Sequence, residues 1–470
     1  MRLQLAARMP RSGRWVIMVV VLATALFLIA SGRLSVLAVV TGLAFSVALS
    51  WYEPIPLVLL ILVLSTQVLQ FVSLEYIPYW QITAGLRLNA QDIGILLLLA
   101  IGGLRLLRRR ERPMFLQPLV FFGGAIALAS VLGWVAGSTT PDATLNALRA
   151  YSGYLFYVGL VGVMDSPRRV QSIINILFLL VAVSVGVQLL EAIRGERIVT
   201  PFAPASEYFS GTKLVTAGGI RAPYLWNRAT GYLFLGLFLA LGALIHGRAD
   251  AKHLFLGIWA VVGVVIALVR QWFVIIGCGV VLLALLSQGR RLRAFGKSVA
   301  VVVLVLVAVN LIGQQIPAFS LLDALRARVD TILAFQQEPN YLGRVLIQQQ
   351  MVALFIRSPI FGYGPGSGLA SSDVGVYNAL VELGLIGTAS VAYLIGFVFV
   401  RSYHQWKQVA DSRFSAYLAG LLAAWVSMLV GYVFSTDFIG QMSMVVALAM
   451  ALMDRLSKFA AAAPFDLNPA

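Results

Sequence analysis

Charged residues are scarce in this chain. They make up 11% of its 470 residues, whereas hydrophobic residues make up 60%, and the mean hydropathy is +0.90. An ordinary soluble domain carries roughly 25% charged residues. The composition therefore excludes a soluble protein of this length and indicates an integral membrane protein.

Cysteine and histidine are nearly absent. The single cysteine, Cys278, lies in an apolar run, so the chain has neither a disulfide framework nor a set of thiolate ligands. The three histidines are His246, His253 and His404, and all fall on the predicted cytoplasmic side. A site on the opposite side would have no imidazole base and no histidine-based metal centre. We therefore expect neither a metal nor a cofactor.

What the sequence has instead is long apolar runs. A helix needs about 20 apolar residues to cross roughly 30 Å of hydrocarbon. Runs that predict such helices occur at 15–32, 34–51, 55–73, 92–104, 114–136, 149–164, 171–193, 230–247, 253–269, 271–287, 297–313, 377–400, 413–436 and 439–454. We predict an all-α, polytopic transmembrane bundle of about 12–14 helices, with residues 1–470 forming a single membrane domain.

The positive charge of the chain predicts its orientation. Lys and Arg number 35 against 19 Asp and Glu, a net charge of +16. Cytoplasmic connections are enriched in Lys and Arg, and cytoplasmic N- and C-termini place every dense basic cluster on that side. The clusters are Arg105–Arg112, Asp165–Arg169, Gly247–His253, Gln288–Lys297, Arg401–Arg413 and the pair Arg455 and Lys458. Membrane orientation thus explains the charge, and no nucleic-acid partner is expected.

Two long segments, 194–229 and 314–376, fall on the outer side. Both contain basic residues, which the orientation rule disfavours there, so an anionic ligand is their simplest explanation. Within the second segment, the apolar spacing over 321–333 and 342–355 predicts amphipathic helices that lie on or dip into the membrane surface. Ser358–Gly368 is rich in turn formers and predicts a loop.

Arginines are the first candidates for binding an anion. A guanidinium stays charged at any relevant pH and binds phosphate oxygens in a bidentate fork. The candidates are Arg221, Arg270 and Arg344. The alternatives are an arginine that extends to the membrane interface, for Arg270, and a solvated surface role for the other two.

Two further features lie beside the loop. Glu382, inside a predicted membrane helix, would be costly without a partner, which implies an arginine partner or a polar cavity; a purely structural ion pair is the alternative. The glycine-rich run Gly362–Gly368 lacks a following Gly-Lys-Ser/Thr, so a nucleotide-binding loop is excluded and a plain turn remains.

Three stretches together resemble the O-antigen ligase and O-antigen polymerase superfamily of bacterial membrane glycosyltransferases. The first is GRVLIQQQMVALFIRSPIFGYGPGSG followed by YNALVELGLIG, within Gly343–Gly387. The second is IRAPYLWNRATG, Ile220–Gly231, and the third is LVRQWF, where Arg270 matches the family's Ser-Arg-Gly arginine. The chain departs from the family where many ligases have His before Asn, because Tyr377 precedes Asn378 here. This difference favours a polymerase or a divergent member of the superfamily.

The resemblance implies a GT-C-like bundle in the bacterial inner membrane with a periplasmic active site. It implies glycan transfer from undecaprenyl pyrophosphate to a sugar hydroxyl, with membrane lipid and polysaccharide-assembly proteins as partners. Arg221, Arg270 and Arg344 would clamp the pyrophosphate, and Glu382 or Asp373 would orient or deprotonate the acceptor hydroxyl. The other candidates for substrate contacts are Asn227, Arg228, Tyr377 and Asn378.

Three alternatives remain open. An O-antigen ligase would transfer the glycan to a lipid A core. A flippase for lipid-linked oligosaccharides would also need many helices and basic residues, but it should have charges deep within its membrane spans. The predicted spans are nearly free of charge apart from Glu382 and their ends, which favours chemistry at the surface. A scaffold for envelope assembly would leave the outer arginines unexplained.

Overall fold

The computed structural model describes most of the central and C-terminal parts of the chain. The described residues are 53–66, 80–81, 87–88, 90–194, 215–217, 220–222, 229–267, 270–287, 296, 300, 339–369, 372, 374–409, 413–434, 439–440 and 442–462. The predicted helices at 15–32, 34–51 and 321–333 lie outside these residues, as does the predicted helix at 297–313 apart from residue 300.

The described chain is a bundle of α-helices with two short hairpins. In chain order the elements are α1 (Ile55–Thr66), β1 (Trp80–Gln81), β2 (Arg87–Leu88), α2 (Ala90–Arg109), α3 (Leu116–Val135), α4 (Pro141–Leu148), a 3-10 turn (Arg149–Tyr151), α5 (Gly153–Val163), α6 (Pro167–Arg194), β3 (Val215–Ala217), β4 (Ile220–Ala222), α7 (Ala229–Ile245), α8 (Ala251–Ala267), α9 (Arg270–Leu286), α10 (Pro339–Arg357), α11 (Gly375–Gln408), α12 (Arg413–Phe434) and α13 (Ser443–Ala462). Strand β1 pairs with β2 and β3 with β4, both antiparallel.

Several of these helices could cross a membrane. By length and composition, 5 of the described helices are long and apolar enough, and they lie within α2, α3, α6, α11 and α12. Shorter apolar helices lie within α1, α5, α7, α8 and α9. The predicted helical membrane bundle is therefore confirmed in outline. The run 92–104 was short for a span, and the structure extends it to a helix over Ala90–Arg109.

Glycines allow two of the central helices to pack with their backbones in contact. Helices α2 and α5 pack closely along their length. A methyl group on Gly102 of α2 would fall on the carbonyl oxygen of Gly159 in α5. A methyl group on Gly162 would likewise fall on the Gly102 carbonyl. Small residues at helix crossings let backbones approach closely, which stabilises helix pairs in lipid where the hydrophobic effect does not.

Side-chain contacts bring the basic connections together at one end of the bundle, here called the basic end. Arg109 pairs with Asp165 at 2.6 Å, and Arg413 lies 3.7 Å from Asp250. Lys252 donates to Asn175, and the Ser402 hydroxyl lies 3.5 Å from the Met453 sulfur, which joins the remaining helices to this end. The basic clusters that the sequence assigned to one side of a membrane thus meet in space, except Gln288–Lys297, which lies almost wholly outside the described residues.

A buried polar network at the basic end holds the last helix in place. Arg455 of α13 is fully buried, donates to the Val161 carbonyl through Nε at 3.0 Å and Nη2 at 2.6 Å, and forms an ion pair with Glu111. The adjacent Asp454 accepts from the Tyr157 hydroxyl at 2.8 Å. Both of these buried side chains therefore have a partner on α5, which fixes how α13 sits against that helix.

Glu111 lies in the connection between α2 and α3. Burial opposes its ionisation, but the hydrogen bonds from Arg455 and Lys458 outweigh burial and hold the pKa of Glu111 below its usual range. A carboxyl group with a lowered pKa stabilises the fold at neutral pH. That stabilisation is lost as the pH falls through the lowered pKa.

The contact between α2 and α5 predicts that the same substitution destabilises the protein at one glycine and not at its neighbour. Gly102→Ala should destabilise the protein by ~1–3 kcal/mol, because its methyl group has no room against the α5 backbone. Gly103→Ala is the matched control, since nothing lies within 4 Å of its added methyl group. Thermal unfolding of both variants in detergent measures the difference, and equal midpoints would contradict the packing described here.

The shared partner Glu111 predicts a second contrast. Arg455→Met should cost about 3–5 kcal/mol, because it leaves the half-buried carboxylate with one cation and the Val161 carbonyl without its donor. Lys458→Met should cost no more than about 1 kcal/mol, because Lys458 is 52% exposed. Unfolding midpoints of the purified variants test this order, and a larger loss for Lys458→Met would refute it.

Candidate functional site

Helix α11 is broken at Gly384. The backbone there has φ 64° and ψ −164°, which divides the helix into a short first part, Gly375–Leu383, and a long second part. Such a conformation is open to glycine and strained for other residues. A break inside a candidate membrane helix releases backbone groups that hydrocarbon cannot hydrogen-bond.

The loop Ser358–Gly368 supplies the missing hydrogen bonds. The N–H groups of Tyr363 and Gly364 donate to the carbonyls of Val381 and Glu382, both at 2.9 Å. In the other direction, Leu385 N–H donates to the Pro359 carbonyl at 2.8 Å and Ile386 N–H donates to the Ile360 carbonyl at 3.2 Å. The loop and the broken helix therefore form one backbone-bonded unit, here called the break junction.

The other side of the loop lies against the corner between α3 and α4. The Ser138 hydroxyl donates to the Tyr363 carbonyl at 2.6 Å. A methyl group on Gly133 of α3 would lie 2.6 Å from the same carbonyl, and one on Gly366 would fall on the Ala143 carbonyl. The loop is therefore enclosed on both sides by helices.

The glycine run of the loop has a structural use. Gly362, Gly364, Gly366 and Gly368 all have positive φ, between 65° and 85°. The N–H of Gly362 donates to the Ser358 carbonyl, and the next two N–H groups are bonded to α11. The interpretation as a turn rather than a phosphate loop is supported, because these N–H groups already have partners.

The break junction lies at the end of the bundle opposite the basic end, here called the far end. Helix α3 starts beside Glu111 at the basic end and reaches the loop at Gly133, near its last residue. Helix α11 ends at the basic end, so its first residues lie at the far end. The predicted side of the site and the predicted cytoplasmic side are thus different ends of the molecule.

The first turn of α11 carries the predicted residues Tyr377 and Asn378. The Asn378 side chain makes two hydrogen bonds to Ser372: its oxygen accepts from the backbone N–H and its nitrogen donates to the carbonyl, both at 2.8 Å. Both bonds hold the chain where it enters the helix. Asn378 therefore has a positioning role, whatever it contacts besides.

A small pocket lies beside this turn. Its lining combines polar and apolar groups from three parts of the far end: Tyr151, Gly375, Asn378, Ala379, Leu383, Val391, Tyr432, Ile439 and Gly440. A second pocket shares Tyr432 and Ile439 with it and is lined by apolar side chains of α11, α12 and α13. A small polar pocket and a small apolar pocket are therefore neighbours at this end of the bundle.

Sequence reasoning missed one arginine at the far end, Arg149. Its Nη2 donates to Asp92, in the first turn of α2, at 2.9 Å. Its Nε is buried without a hydrogen-bond partner in the described part of the chain. The run 149–164 had been assigned wholly to a membrane helix, but the structure starts α5 at Gly153 and leaves Arg149 in a 3-10 turn. The signal in the sequence was the arginine at the first position of this run, which indicates that the helix begins after it.

The structure places the three predicted arginines on different elements. Arg344 is half-buried on α10, on the same face as Met351, which is buried seven residues later. Arg221 lies in β4, opposite Thr216 of β3. Arg270 is the first residue of α9 and follows the far end of α8. Their convergence into one clamp stays a prediction.

Glu382 belongs to the break junction. It is partly buried, two residues before Gly384, and its carbonyl accepts from Gly364. Asn227, Arg228 and Asp373 lie outside the described residues. Across the described part of the chain, no group of three His, Cys, Asp or Glu side chains could hold a metal ion.

The enclosure of the loop predicts a contrast between two glycines of α3. Gly133→Ala should displace the loop, because the added methyl group would lie 2.6 Å from the Tyr363 carbonyl. Gly123→Ala, in the same helix, has nothing within 4 Å of its methyl group and serves as the control. Chymotrypsin should cut at Phe361 or Tyr363 faster in the first variant than in the second. Equal cleavage rates would show that α3 does not hold the loop.

Comparison with known proteins adds no identification. No protein-family model matches this chain. No curated protein matches it either. The function therefore has to be argued from the residues and their geometry alone.

Proposed function

We propose that this chain is a membrane glycosyltransferase that moves a glycan from an undecaprenyl-pyrophosphate donor to a sugar hydroxyl, as a polysaccharide polymerase of the bacterial inner membrane. The observation that carries the proposal is the break junction. It joins the helix of Arg344 to Glu382 through continuous hydrogen-bonded backbone, at the end of the bundle opposite the basic connections. A cation and a carboxylate are thus attached to one rigid unit on the side where donor and acceptor would meet.

The proposed reaction needs few protein groups. The acceptor oxygen forms a bond to the anomeric carbon of the donor glycan, and the bond from that carbon to the phosphate oxygen breaks. Undecaprenyl pyrophosphate leaves with the electron pair, and a carboxylate accepts the proton of the acceptor hydroxyl. Because pyrophosphate is already an adequate leaving group, the main task is to stabilise its developing charge, which preorganised arginines do in a site poor in water.

Residues at the far end supply these groups. Arg221, Arg270 and Arg344 would hold the pyrophosphate, and Glu382 would take the hydroxyl proton. The small pocket beside Asn378 is lined by Tyr151 and Tyr432, whose side chains can hydrogen-bond a polar ligand, and it shares Tyr432 and Ile439 with the apolar pocket. Arg149, ion-paired to Asp92, adds positive charge near the same pocket.

The break in α11 also raises the possibility of a transporter. Transporters use broken helices because the ends of the half-helices point at the substrate or ion. Here four of the backbone groups released by the break are bonded to the loop. A break occupied by its own loop favours a fixed site for chemistry over a moving gate, so the flippase is the less favoured alternative.

An O-antigen ligase remains the alternative within the same chemistry. It would use the same donor and the same leaving group, and only the acceptor would differ, a lipid A core in place of a second lipid-linked glycan. The far-end residues described above do not discriminate between these acceptors. The products of the reaction do.

Purified protein in vesicles with a lipid-linked repeat unit tests the proposal. Longer lipid-linked chains would indicate a polymerase, and transfer only to an added core acceptor a ligase. Movement of the lipid between leaflets without new glycosidic bonds would indicate a flippase and would refute the proposal.

Arginine variants test the clamp in the same assay. Arg221→Ala, Arg270→Ala and Arg344→Ala should each abolish chain growth while the protein still inserts, because each removes charge from the leaving-group site. Arg168→Ala, an exposed arginine at the basic end, is the matched control and should keep normal activity. Normal polymer lengths in all three variants would overturn the clamp.

A further inference from the structure

An uncovered apolar surface runs across the break junction. It continues from one face of α10 through the loop to the second part of α11. Its members are Leu346, Val352, Ile356, Ile360, Phe361, Leu385 and Ile386, all exposed among the described residues. Ile356, at 68% exposed, is the most open of them.

Helix α10 has two distinct faces. Met351 is 1% exposed and marks the face that packs against α11, together with Arg344. Val352 and Ile356, four residues apart, lie on one outward face. Leu346 and Gln350, also four residues apart, lie on the neighbouring exposed face together with Arg357, at the edge of the first. A helix with one packed face, one open apolar face and a basic edge is typical of helices that lie in a membrane interface.

Hydrogen bonding connects this face to a candidate membrane helix. Ile360 accepts from the Ile386 N–H, so the loop part of the surface touches the second part of α11. Further along α11, exposed Tyr393 makes an edge contact with exposed Phe121 of α3 at 5.8 Å between ring centroids. Both α3 and α11 are long and apolar enough to cross a membrane. The exposed side chains of spanning helices face acyl chains, and the surface on α10 is continuous with them.

We propose that α10 and the loop form a lipid-bound platform at the far end. The outward face around Ile356 lies among acyl chains, and Arg357 at its edge binds the anionic headgroups of phospholipids. Because the break junction attaches this platform to Glu382 by backbone hydrogen bonds, the lipid fixes the height of the candidate site relative to the bilayer. This inference does not depend on the proposed reaction.

Depth measurements on the full chain in vesicles test the platform. The native Cys278 is replaced by alanine, and an environment-sensitive fluorophore is attached to Ile356→Cys or, as a matched control on the same helix, to Gln350→Cys. The label at position 356 should be quenched by lipids with a spin label high on the acyl chain and protected from aqueous iodide. The label at position 350 should be the more accessible of the two to iodide.

Two outcomes would overturn the platform. Equal iodide quenching at both positions would place the face in water. Protection of position 356 from both quenchers would show that protein covers it, such as a second copy of the chain. Neither measurement needs glycan transfer, so failure of the platform and failure of the proposed function are distinguishable.

The charge at the edge is tested separately. Vesicles that contain phosphatidylglycerol should protect the label at position 356 more strongly than phosphatidylcholine alone. Arg357→Gln should remove that difference, whereas Gln349→Ala, an exposed change on the same helix without charge, should keep it. An unchanged difference in Arg357→Gln would overturn the headgroup contact.

Discussion

Every backbone polar group within hydrocarbon must find a partner inside the protein, and that constraint organises the far end of this molecule. Gly384 breaks α11, and an isolated break would leave carbonyl and N–H groups without partners. The loop Ser358–Gly368 satisfies four of them and is itself enclosed by α3 and α4. The loop is therefore bonded into the bundle at this end through its backbone, while Ile360 and Phe361 remain exposed. The candidate site is built on this hydrogen-bonded loop.

The two ends of the bundle treat charge differently. At the basic end, Glu111, Asp165 and Asp250 each form an ion pair with a basic residue of a helix. Much of the charge at this end therefore holds the helices together. At the far end, an ion pair joins Arg149 to Asp92. The sequence places further arginines on that side against the orientation rule, and for these a pyrophosphate lipid and anionic headgroups are the ligands proposed above.

Much of the helical architecture could be predicted from the sequence, because hydrophobic length alone sets it. The runs 114–136 and 413–436 match α3 and α12 closely, and the turn formers of Ser358–Gly368 ended α10 at Arg357 as expected. The break at Gly384 was not predictable in this way. A lone glycine among apolar residues is ordinary in a membrane helix, and only the loop brought to it by the fold makes it a break.

Site residues were harder to predict for the same reason. Asn378 was chosen as a substrate contact from its position, yet its amide group is bonded to Ser372, which sequence spacing cannot reveal. Arg149 was hidden inside an apolar run whose helix starts four residues later. In both cases the sequence pattern showed which residues are neighbours along the chain, but the role of the side chain depends on its contacts in the folded structure. Glu382 is a third case, because the sequence shows a carboxylate within an apolar run but not the loop whose Gly364 N–H donates to its backbone carbonyl.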